Sequence, residues 1–363
     1  MNKKVLFVVG SSWASGYYRM TQAANLLAQS GFHAEVIYFS SIAPMDLTGS
    51  RYALNRTDGL EIVDLTKFDT VVFQIVTFPE LLYVIHSLKA KGIKTSMEID
   101  DDYFALPASN PSFLSFHPRV KTIYRDGKFK SRISNTKINF KLDTLRKACK
   151  EVDTIQVSTP ELKEVYSSLS NNVVVLENCV ENLLYDAVPK QKNYKPVLGW
   201  FGTRTHQEDL KIVLGSFPKD TSLLIAGYPE ARDLIFKDYP NVEVIPPYDV
   251  SKVPEIVAKC DVGIVPLTEC RFNDGKSDLK GVEFGAGCVP VIASDGAPYR
   301  RWIRHGENGF LVKHNKFKLW QRYIKQLLED SKLRSKLGVE AKKDAIKRDI
   351  ASHIDKWITT YFI

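Results

Sequence analysis

Short apolar runs alternate along the first half of the chain with stretches in which apolar residues recur at helical spacing. Residues 17–29 and 79–91 carry apolar side chains every three or four positions, as amphipathic helices do. The runs of strand length lie at residues 5–9, 34–39, 70–75, 94–99, 154–158 and 173–176. This alternation predicts a parallel sheet with helices on both of its faces.

The second half of the chain repeats the alternation and ends in a helical segment at residues 316–363. Its predicted strands lie at residues 196–201, 222–227, 242–245, 262–267 and 289–294. A chain of 363 residues exceeds what one core commonly supports, and a polar stretch at 188–195 separates the halves. We therefore predict an α/β protein with two Rossmann-like domains, residues 1–190 and 191–348, followed by a terminal helix at 349–363.

The composition is that of an ordinary globular protein, with 44% hydrophobic and 25% charged residues. No apolar run approaches the roughly 20 residues that span a bilayer. The apolar part of the N-terminus stops after five residues, which indicates a first strand instead of a signal peptide. The five cysteines are scattered without C-x-x-C spacing, so we expect a reduced, cytoplasmic protein without a zinc site.

The stretch 272–298 combines a polar turn, a helix of small and apolar residues, and a short buried strand. Lys276 and Lys280 are four residues apart, which places both ammonium groups on one helical face, with Ser277 at the capping position. A helix N-terminus with two cations favours an anion such as phosphate. Glu283 lies seven residues beyond Lys276 on the same face. We expect its carboxylate beside that anion, where ribose hydroxyls would bind.

A glycine turn follows a predicted strand in each half of the chain. Gly10 and Gly16 stand six residues apart, which differs from the G-x-G-x-x-G of dinucleotide enzymes and argues against a dehydrogenase. In the second half, Gly202 allows close backbone approach, and Arg204 can bind a diphosphate through two nitrogens. His206 in the same turn is either a ligand-binding residue or a helix cap.

Two segments of the second half carry a family resemblance. They read LKGVEFGAGCVPVIAS and IRHGENGFLV, and they resemble the donor site of GT4-like glycosyltransferases with the GT-B fold. Glu283 matches the second of two acids that the family usually carries. Gly275 stands where the first should be, and Asp274 or Asp278 could replace it. The resemblance implies two Rossmann-like domains facing across a cleft, a last helix that crosses back to the first domain, and sugar transfer with retention.

The same resemblance implies a nucleotide diphosphate sugar as donor, most simply a UDP-sugar, with neither a metal nor another cofactor. The residues that would bind this donor are Gly16, Gly202, Thr203, Arg204, His206, Lys276, Ser277, Lys280 and Glu283. The cations among them, with helix-start amides, would stabilise the leaving diphosphate, and Glu283 would hold the ribose. Tyr18 and Arg19, close to Gly16, are also ligand-binding candidates by resemblance, and the alternative is that Tyr17 and Tyr18 pack at the helix start.

An acidic loop, Asp100, Asp101 and Asp102, follows the predicted strand 94–99. Ligands of open α/β sheets gather at the carboxyl ends of strands, and a carboxylate in a closed site can gain a pKa suited to a base. We expect one or two of the three to orient or deprotonate the acceptor hydroxyl. The alternative interpretation is a helix cap with solvated charges.

Residues 119–150 form a one-sided charge run, with eleven Lys or Arg against Asp126 and Asp143, within a chain whose net charge is +8. Aromatic residues are interleaved, as in surfaces that contact bases or membranes. The run predicts a surface for an anionic partner, and a solvated helical face is the alternative. The residues assigned to acceptor binding are Arg119, Lys121, Arg125, Lys128, Lys130 and Arg132.

Two acceptors suit this charge. One is DNA with hydroxymethylated bases, the kind of substrate that phage enzymes modify, and the other is a lipid-linked or acidic glycan at the inner membrane face. A third hypothesis is that the protein is not an enzyme and binds the nucleotide sugar without transferring it. Its basis is Gly275, which stands where the family usually carries the first acid. None of the three requires an integral membrane segment.

Overall fold

The structure is a computed structural model that describes residues 3–10, 14–38, 41–44, 51–56, 59–125 and 128–363. For residues 41–44, 51–56, 59–62, 121–125 and 128–131 the description covers the backbone alone. The chain divides into two compact units. Unit 1 comprises Met1–Ala108, Ser112–Glu177 and His353–Ile363, and unit 2 comprises Ser109–Pro111 and Asn178–Ser352. The division after Glu177 precedes the boundary predicted at residue 190, because the polar stretch 188–195 already leads into the sheet of unit 2.

The described strands of unit 1 are β1 Lys4–Val9, β2 His33–Tyr38, β3 Ser41–Pro44, β4 Arg51–Arg56, β5 Gly59–Asp64, β6 Thr70–Gln74, β7 Lys94–Ile99, β8 Val120–Arg125, β9 Lys128–Ile133, β10 Thr154–Val157 and β11 Val173–Val175. Six of them form a parallel sheet in the order β11-β10-β7-β6-β1-β2. Strands β3 to β5 form a separate antiparallel sheet, and β8 and β9 pair as an antiparallel hairpin.

The helices of unit 1 lie between these strands in the sequence. They are α1 Ala14–Gly16, α2 Gln22–Gln29, α3 Pro79–Ala90, α4 Phe113–Phe116, α5 Lys141–Glu151 and α6 Pro160–Ser167. A π-helical stretch, Tyr17–Thr21, joins α1 to α2. Helices α3 and α6 begin with proline, whose fixed φ suits a first turn, and the Thr159 side chain caps α6 by accepting from the Leu162 amide.

Unit 2 contains a second parallel sheet, with the described strands β12 Val197–Phe201, β13 Ser222–Ala226, β14 Val242–Ile245, β15 Val262–Val265, β16 Val291–Ser294 and β17 Gly309–Val312. Their order is β14-β13-β12-β15-β16-β17. The helices are α7 Asn182–Asp186, α8 Gln207–Lys211, α9 Ala231–Leu234, α10 Val253–Ala258, α11 Arg271–Asp274, α12 Leu279–Ala286, α13 Ala297–Arg300, α14 Phe317–Glu329 and α15 Ser331–Ile346. The two parallel sheets confirm the predicted α/β fold.

The last helix, α16 Ile354–Phe362, belongs to the core of unit 1 although the residues before it belong to unit 2. Tyr361 packs edge to face on Phe7 of β1, with 5.3 Å between ring centroids, and Phe362 stacks on Phe32 at 4.8 Å. Apolar side chains at the C-terminus therefore complete one face of the unit 1 sheet. Among the described residues, no helix is both long and apolar enough to cross a bilayer.

A buried ion pair joins the start of the first helical segment to the end of β7. The Arg19 Nε donates to Glu98 Oε1 at 2.7 Å, and the two side chains are 1% and 0% exposed. Arg19 also donates to the carbonyl oxygen of Leu176. Burial raises the pKa of Glu98 to about 8, although the charge of Arg19 acts in the opposite direction. Arg19 is thus buried inside unit 1 and paired with Glu98, and its role in ligand binding stays a prediction.

Replacing Arg19 with Met leaves Glu98 buried without its cation, so the free energy of unfolding should fall by roughly 3–5 kcal/mol. The loss should grow as the pH rises above about 8, because the variant must then bury a carboxylate that the unfolded chain leaves in water. Denaturant titration on both sides of that pH measures it. The exposed Arg232 in α9 provides the control, since Arg232→Met should change stability by less than about 0.5 kcal/mol. Equal losses in both variants would contradict a buried pair.

Candidate functional site

The carboxyl edge of the unit 2 sheet is a topological switch point. β12 lies between β13 and β15, so the chain leaves β12 toward one side of the sheet and later returns on the other. Open parallel sheets bind ligands in the crevice at such a point. The turn 202–206 follows β12 at this edge, and Thr268 follows β15.

Two glycines let backbone and side chain come together at this edge. A Cβ on Gly202 would lie 2.8 Å from the Trp200 ring and 3.0 Å from Lys280 Nζ. A Cβ on Gly227, after β13, would lie 2.3 Å from the carbonyl oxygen of Gly202. Gly227 has a φ of +85°, which residues other than glycine rarely adopt. The turn at Gly202 therefore lies directly against the ammonium group of Lys280.

A buried hydrogen-bond network fixes this turn. The Nδ1 of His206 lies 2.9 Å from Oδ2 of Asp209. The other oxygen of Asp209 accepts from the Thr268 amide at 2.7 Å, from the Thr268 hydroxyl at 2.9 Å and from Asn273 Nδ2 at 3.3 Å. Asp209 thereby ties the turn after β12 to the loop after β15. The sequence alone indicates only a charge at a helix start for Asp209, since its partner Thr268 is revealed by the fold.

The protonation states of this network follow from its surroundings. Burial lowers the pKa of His206, and the positive charges of Lys280 and Lys276 lower it further. Burial alone would raise the pKa of Asp209, but hydrogen bonds from His206 and Thr268 outweigh it and lower the pKa. His206 is therefore a neutral imidazole that donates Nδ1–H to an ionised carboxylate.

Two half-buried lysines, Lys276 and Lys280, supply the positive charge of the site. The Lys280 Nζ lies 5.3 Å from the centroid of the Trp200 ring, and the Lys276 Nζ lies 4.6 Å from that of Phe272. Burial and the neighbouring charge of Lys276 lower the pKa of Lys280 to about 8. Two neighbouring cations of this kind suit a polyanion such as a diphosphate.

Glu283 lies in the middle of α12 and is buried. Its charge acts on Lys280, and it adds to the effect of burial in raising the pKa of Tyr248. The helix lies close to β15, because a Cβ on Gly263 would come within 2.7 Å of the Phe284 ring. The predicted neighbourhood of a carboxylate and lysine cations is therefore present at this edge.

The segment before α12 differs from the sequence prediction. The helix begins at Leu279 with Asp278 as its N-cap residue, so Ser277 does not cap it and Lys276 lies outside it. Ser277 instead accepts a hydrogen bond on its hydroxyl oxygen from Asn178 Nδ2 at 2.8 Å. The prediction of one helical face for both lysines was wrong, because the chain between α11 and α12 is not helical.

Two arginines hold this non-helical segment. Arg348 donates to both carboxylate oxygens of Asp278 at 3.0 and 3.1 Å, and Asp278 is buried. Arg301 donates to the carbonyl oxygen of Lys276 at 2.8 Å. Asp278 is thus used in an ion pair, which leaves the exposed Asp274 as the acid that could stand in beside Gly275.

Thr203 and Arg204 are exposed on the same turn. The hydroxyl oxygens of Thr203 and Thr205 lie 2.7 Å apart. The guanidinium of Arg204 lies near Tyr228, whose pKa is raised by burial and lowered by this charge. Arg204 therefore stands at the rim of the site, while Lys276, Lys280 and Glu283 lie deeper.

The acidic loop of unit 1 follows β7 as predicted, but its three carboxylates have different surroundings. Asp102 is fully buried and accepts from the Phe104 amide at 3.1 Å as the N-cap of a 3-10 turn. Its catalytic role stays a prediction, and in this structure its carboxylate is buried and serves as a cap. Asp100 accepts from the Tyr103 hydroxyl at 3.0 Å, and both Asp100 and Asp101 are half-buried.

The remaining predicted residues also lie in unit 1. Gly16 is buried in α1, and residues 11–13 of its loop lie outside the described part of the chain. The basic run forms the β8–β9 hairpin and then α5, so its interpretation as one helical face is wrong. Arg119 and Arg132 are exposed. The side chains outside the description are those of Lys121, Arg125, Lys128 and Lys130.

Two Rossmann-like units, each with a six-stranded parallel sheet, are the architecture of the GT-B class of proteins. The chain is similar to sucrose-phosphate synthase from Thermosynechococcus elongatus, with 11% identity, a TM-score of 0.65 and 99% of each chain covered. It is similar to TarM, with 10% identity, a TM-score of 0.67, and 100% of this chain and 99% of that chain covered. It is also similar to Anabaena HepE in complex with UDP and glucose, with 13% identity and a TM-score of 0.65. That match covers 99% of this chain and 98% of the HepE chain.

Residues 188–344 match the family Glycosyl transferases group 1. A protein of Bacillus subtilis (strain 168), EpsD, whose name marks it as a glycosyltransferase candidate, is 32% identical over 111 residues. That match covers 31% of this chain and 28% of EpsD, so it spans less than a third of the relative. Over residues 188–344 the chain is similar to the group 1, or GT4, family of glycosyltransferases that its motifs predicted, and the chain has the GT-B fold.

Because the pKa of Lys280 is about 8, its charge should be lost as the pH rises through that value. The dissociation constant for UDP, measured by titration calorimetry, should then increase by up to about tenfold per pH unit. Lys280→Arg keeps its charge, because the pKa of arginine exceeds about 12, and should flatten the profile. Lys280→Met should bind UDP weakly at every pH. An unchanged affinity across this range in the intact protein would contradict the assignment of Lys280 to an anion.

Proposed function

We propose that the chain transfers a sugar from a UDP-sugar to an anionic acceptor, with retention of the anomeric configuration. The observation that carries the proposal is the convergence of Lys276, Lys280 and Glu283 at the switch point of unit 2. HepE is known with UDP-glucose, and the pneumococcal O-GlcNAc transferase GtfA with UDP and GlcNAc. We extend this class of donor to the present chain.

The leaving diphosphate gains negative charge as the bond to the sugar breaks, and Lys276 and Lys280 stabilise that charge. Cations in a half-buried site act more strongly than in water, because they are already in place and little solvent screens them. Arg204 at the rim supplies a third cation to the same group. Glu283 accepts hydrogen bonds from the ribose hydroxyls, and the neutral His206 holds the turn without adding repulsive charge.

On the acceptor side, Asp100 or Asp101 orients the attacking hydroxyl and accepts its proton. These two carboxylates follow β7 at the carboxyl edge of the unit 1 sheet, whereas Asp102 is buried. The Tyr103 hydroxyl donates to Asp100 and holds that carboxyl group in place. We place the reaction in the cytoplasm, where scattered thiols stay reduced.

Glu283→Gln should weaken UDP binding roughly 10- to 100-fold, because a charge-assisted hydrogen bond to ribose is worth about 1.5–3 kcal/mol. Calorimetric titration with UDP and with inorganic pyrophosphate separates the contribution of the ribose from that of the diphosphate. Because pyrophosphate lacks the ribose, the substitution should change its binding little. Glu243, an exposed residue of β14, provides the matched control Glu243→Gln. If both glutamine variants bind UDP as the intact protein does, Glu283 does not hold the nucleotide.

Gly275 motivates the alternative that the protein binds the donor without transferring its sugar. The transferase proposal predicts slow hydrolysis of UDP-glucose or UDP-GlcNAc by the intact protein, followed by release of free sugar. Lys276→Ala should reduce that rate by about 10²-fold or more, as loss of a charge-stabilising donor does elsewhere. Tight UDP binding together with no sugar release from any donor would favour the non-catalytic alternative.

The acceptor is either hydroxymethylated DNA or an anionic lipid or glycan. If the six basic residues assigned from the sequence all contact DNA phosphates, a plot of log affinity against log salt on duplex DNA should have a slope of about −5. Anionic vesicles measured side by side test the second class. If the intact protein binds neither duplex DNA nor anionic vesicles, the basic run is not an acceptor surface.

A further inference from the structure

A cavity of about 300 Å³ lies in unit 1 at the base of the β8–β9 hairpin. Its walls come from the starts of α3 and α5, from α4, and from the first residue of β8. Phe78, Val120 and Phe140 make much of the lining apolar, and Lys141 supplies its charge. None of these four side chains was assigned to the donor or to the acidic loop.

The ammonium group of Lys141 lies between aromatic rings in this cavity. Its Nζ is 5.8 Å from the ring centroid of Phe78 and 5.4 Å from that of Phe116. Burial lowers the pKa of Lys141. Among the described residues, the Lys141 ammonium group contacts these rings and no carboxylate or carbonyl oxygen, while the backbone amide of Lys141 donates separately to Asn139 Oδ1 at 3.1 Å. A partly desolvated cation without a counter-ion favours an anion from outside the protein.

Large apolar side chains are exposed around this cation. The exposed fractions are 47% for Phe78, 45% for Leu114, 77% for Ile133 and 55% for Phe140. Phe78 and Phe140 line the cavity, Leu114 precedes a lining residue, and Ile133 pairs with Val120 across the hairpin. A cluster of exposed apolar side chains marks an interaction surface.

Two exposed arginines extend the positive charge at the same place. Arg119 immediately precedes β8, and its carbonyl oxygen accepts from the Ser134 amide at 2.9 Å. Arg132 is near the end of β9, next to the exposed Ile133. The combination of cations with hydrocarbon matches a lipid interface, where apolar groups enter the acyl boundary and cations meet phosphates.

We propose that this surface of unit 1, formed by Phe78, Leu114, Ile133, Phe140 and Lys141, binds an anionic phospholipid membrane. The Lys141 ammonium meets a lipid phosphate, and the exposed apolar side chains enter the acyl boundary. Nucleic acid fits this surface less well, because the aliphatic Leu114 and Ile133 offer no ring on which a base could stack. If the proposed function holds, this surface would present the acceptor to the enzyme at a membrane. Only that statement about the acceptor rests on the proposed function, and the membrane binding itself does not.

Sedimentation of the full chain with vesicles tests the proposal. We expect binding to vesicles of phosphatidylcholine mixed with phosphatidylglycerol, weaker binding to phosphatidylcholine alone, and loss of the difference in high salt. Lys141→Met keeps an apolar stem and should reduce the partition coefficient on the anionic vesicles about fivefold. Its control is Lys237→Met, an exposed lysine of unit 2, which should bind as the intact protein does.

A second variant avoids dependence on the half-buried lysine. Phe140→Ser, at an exposed position, should weaken binding to both kinds of vesicle, whereas Leu234→Ser, equally exposed on unit 2, should not. Equal partition for the intact protein, Lys141→Met and Phe140→Ser would overturn the proposal. So would a Lys141→Met variant that loses binding to duplex DNA while its vesicle binding stays intact.

Thermal stabilisation by UDP, measured on the same variants, separates this inference from the proposed function. UDP should stabilise Lys141→Met and the intact protein to the same extent, which also shows that the variant is folded. If UDP stabilises neither while vesicle binding depends on Lys141, the donor assignment fails and the membrane surface stands. If UDP stabilises both and vesicles bind neither, the membrane surface is refuted and the donor assignment stands.

Discussion

A partly buried ammonium group at a sheet edge is the constraint on which the unit 2 site depends. Lys280 lies against the Trp200 ring and the backbone of Gly202, where burial and Lys276 bring its pKa to about 8. The charges of the two lysines, together with burial, disfavour protonation of His206, so its imidazole stays neutral and is held by Asp209. Two lysines, a neutral imidazole and the carboxylate of Glu283 therefore lie together at this edge.

Two arginines that are not assigned to the donor keep the lysines in place. Arg348 and Arg301 hold the non-helical segment before α12 from its two ends, through Asp278 and the carbonyl oxygen of Lys276. Bidentate arginine contacts fix geometry more firmly than single hydrogen bonds. A segment fixed beforehand loses little conformational entropy when a diphosphate binds, which leaves more of the electrostatic attraction for affinity.

Much of the fold was predictable because strands of buried parallel sheets read as continuous apolar runs. Those runs located the core strands from β1 to β16 to within a few residues, and the segment around Glu283 identified the family. The β8–β9 hairpin was not predicted, although the Asp126–Gly127 dipeptide between two strand-like runs of the sequence is a hairpin signal. Asp209, the cap at Asp278 and the burial of Asp102 depend on tertiary partners that no local pattern encodes.

The most direct test of the account is a crystal structure of the full chain with bound UDP. We expect phosphate oxygens within hydrogen-bond distance of Lys280 Nζ, at roughly 2.7–3.2 Å. We also expect the ribose hydroxyls to donate hydrogen bonds to the carboxylate of Glu283. A nucleotide bound instead at the opposite edge of the unit 2 sheet, in the cavity of about 530 Å³ beside Arg334, would contradict it.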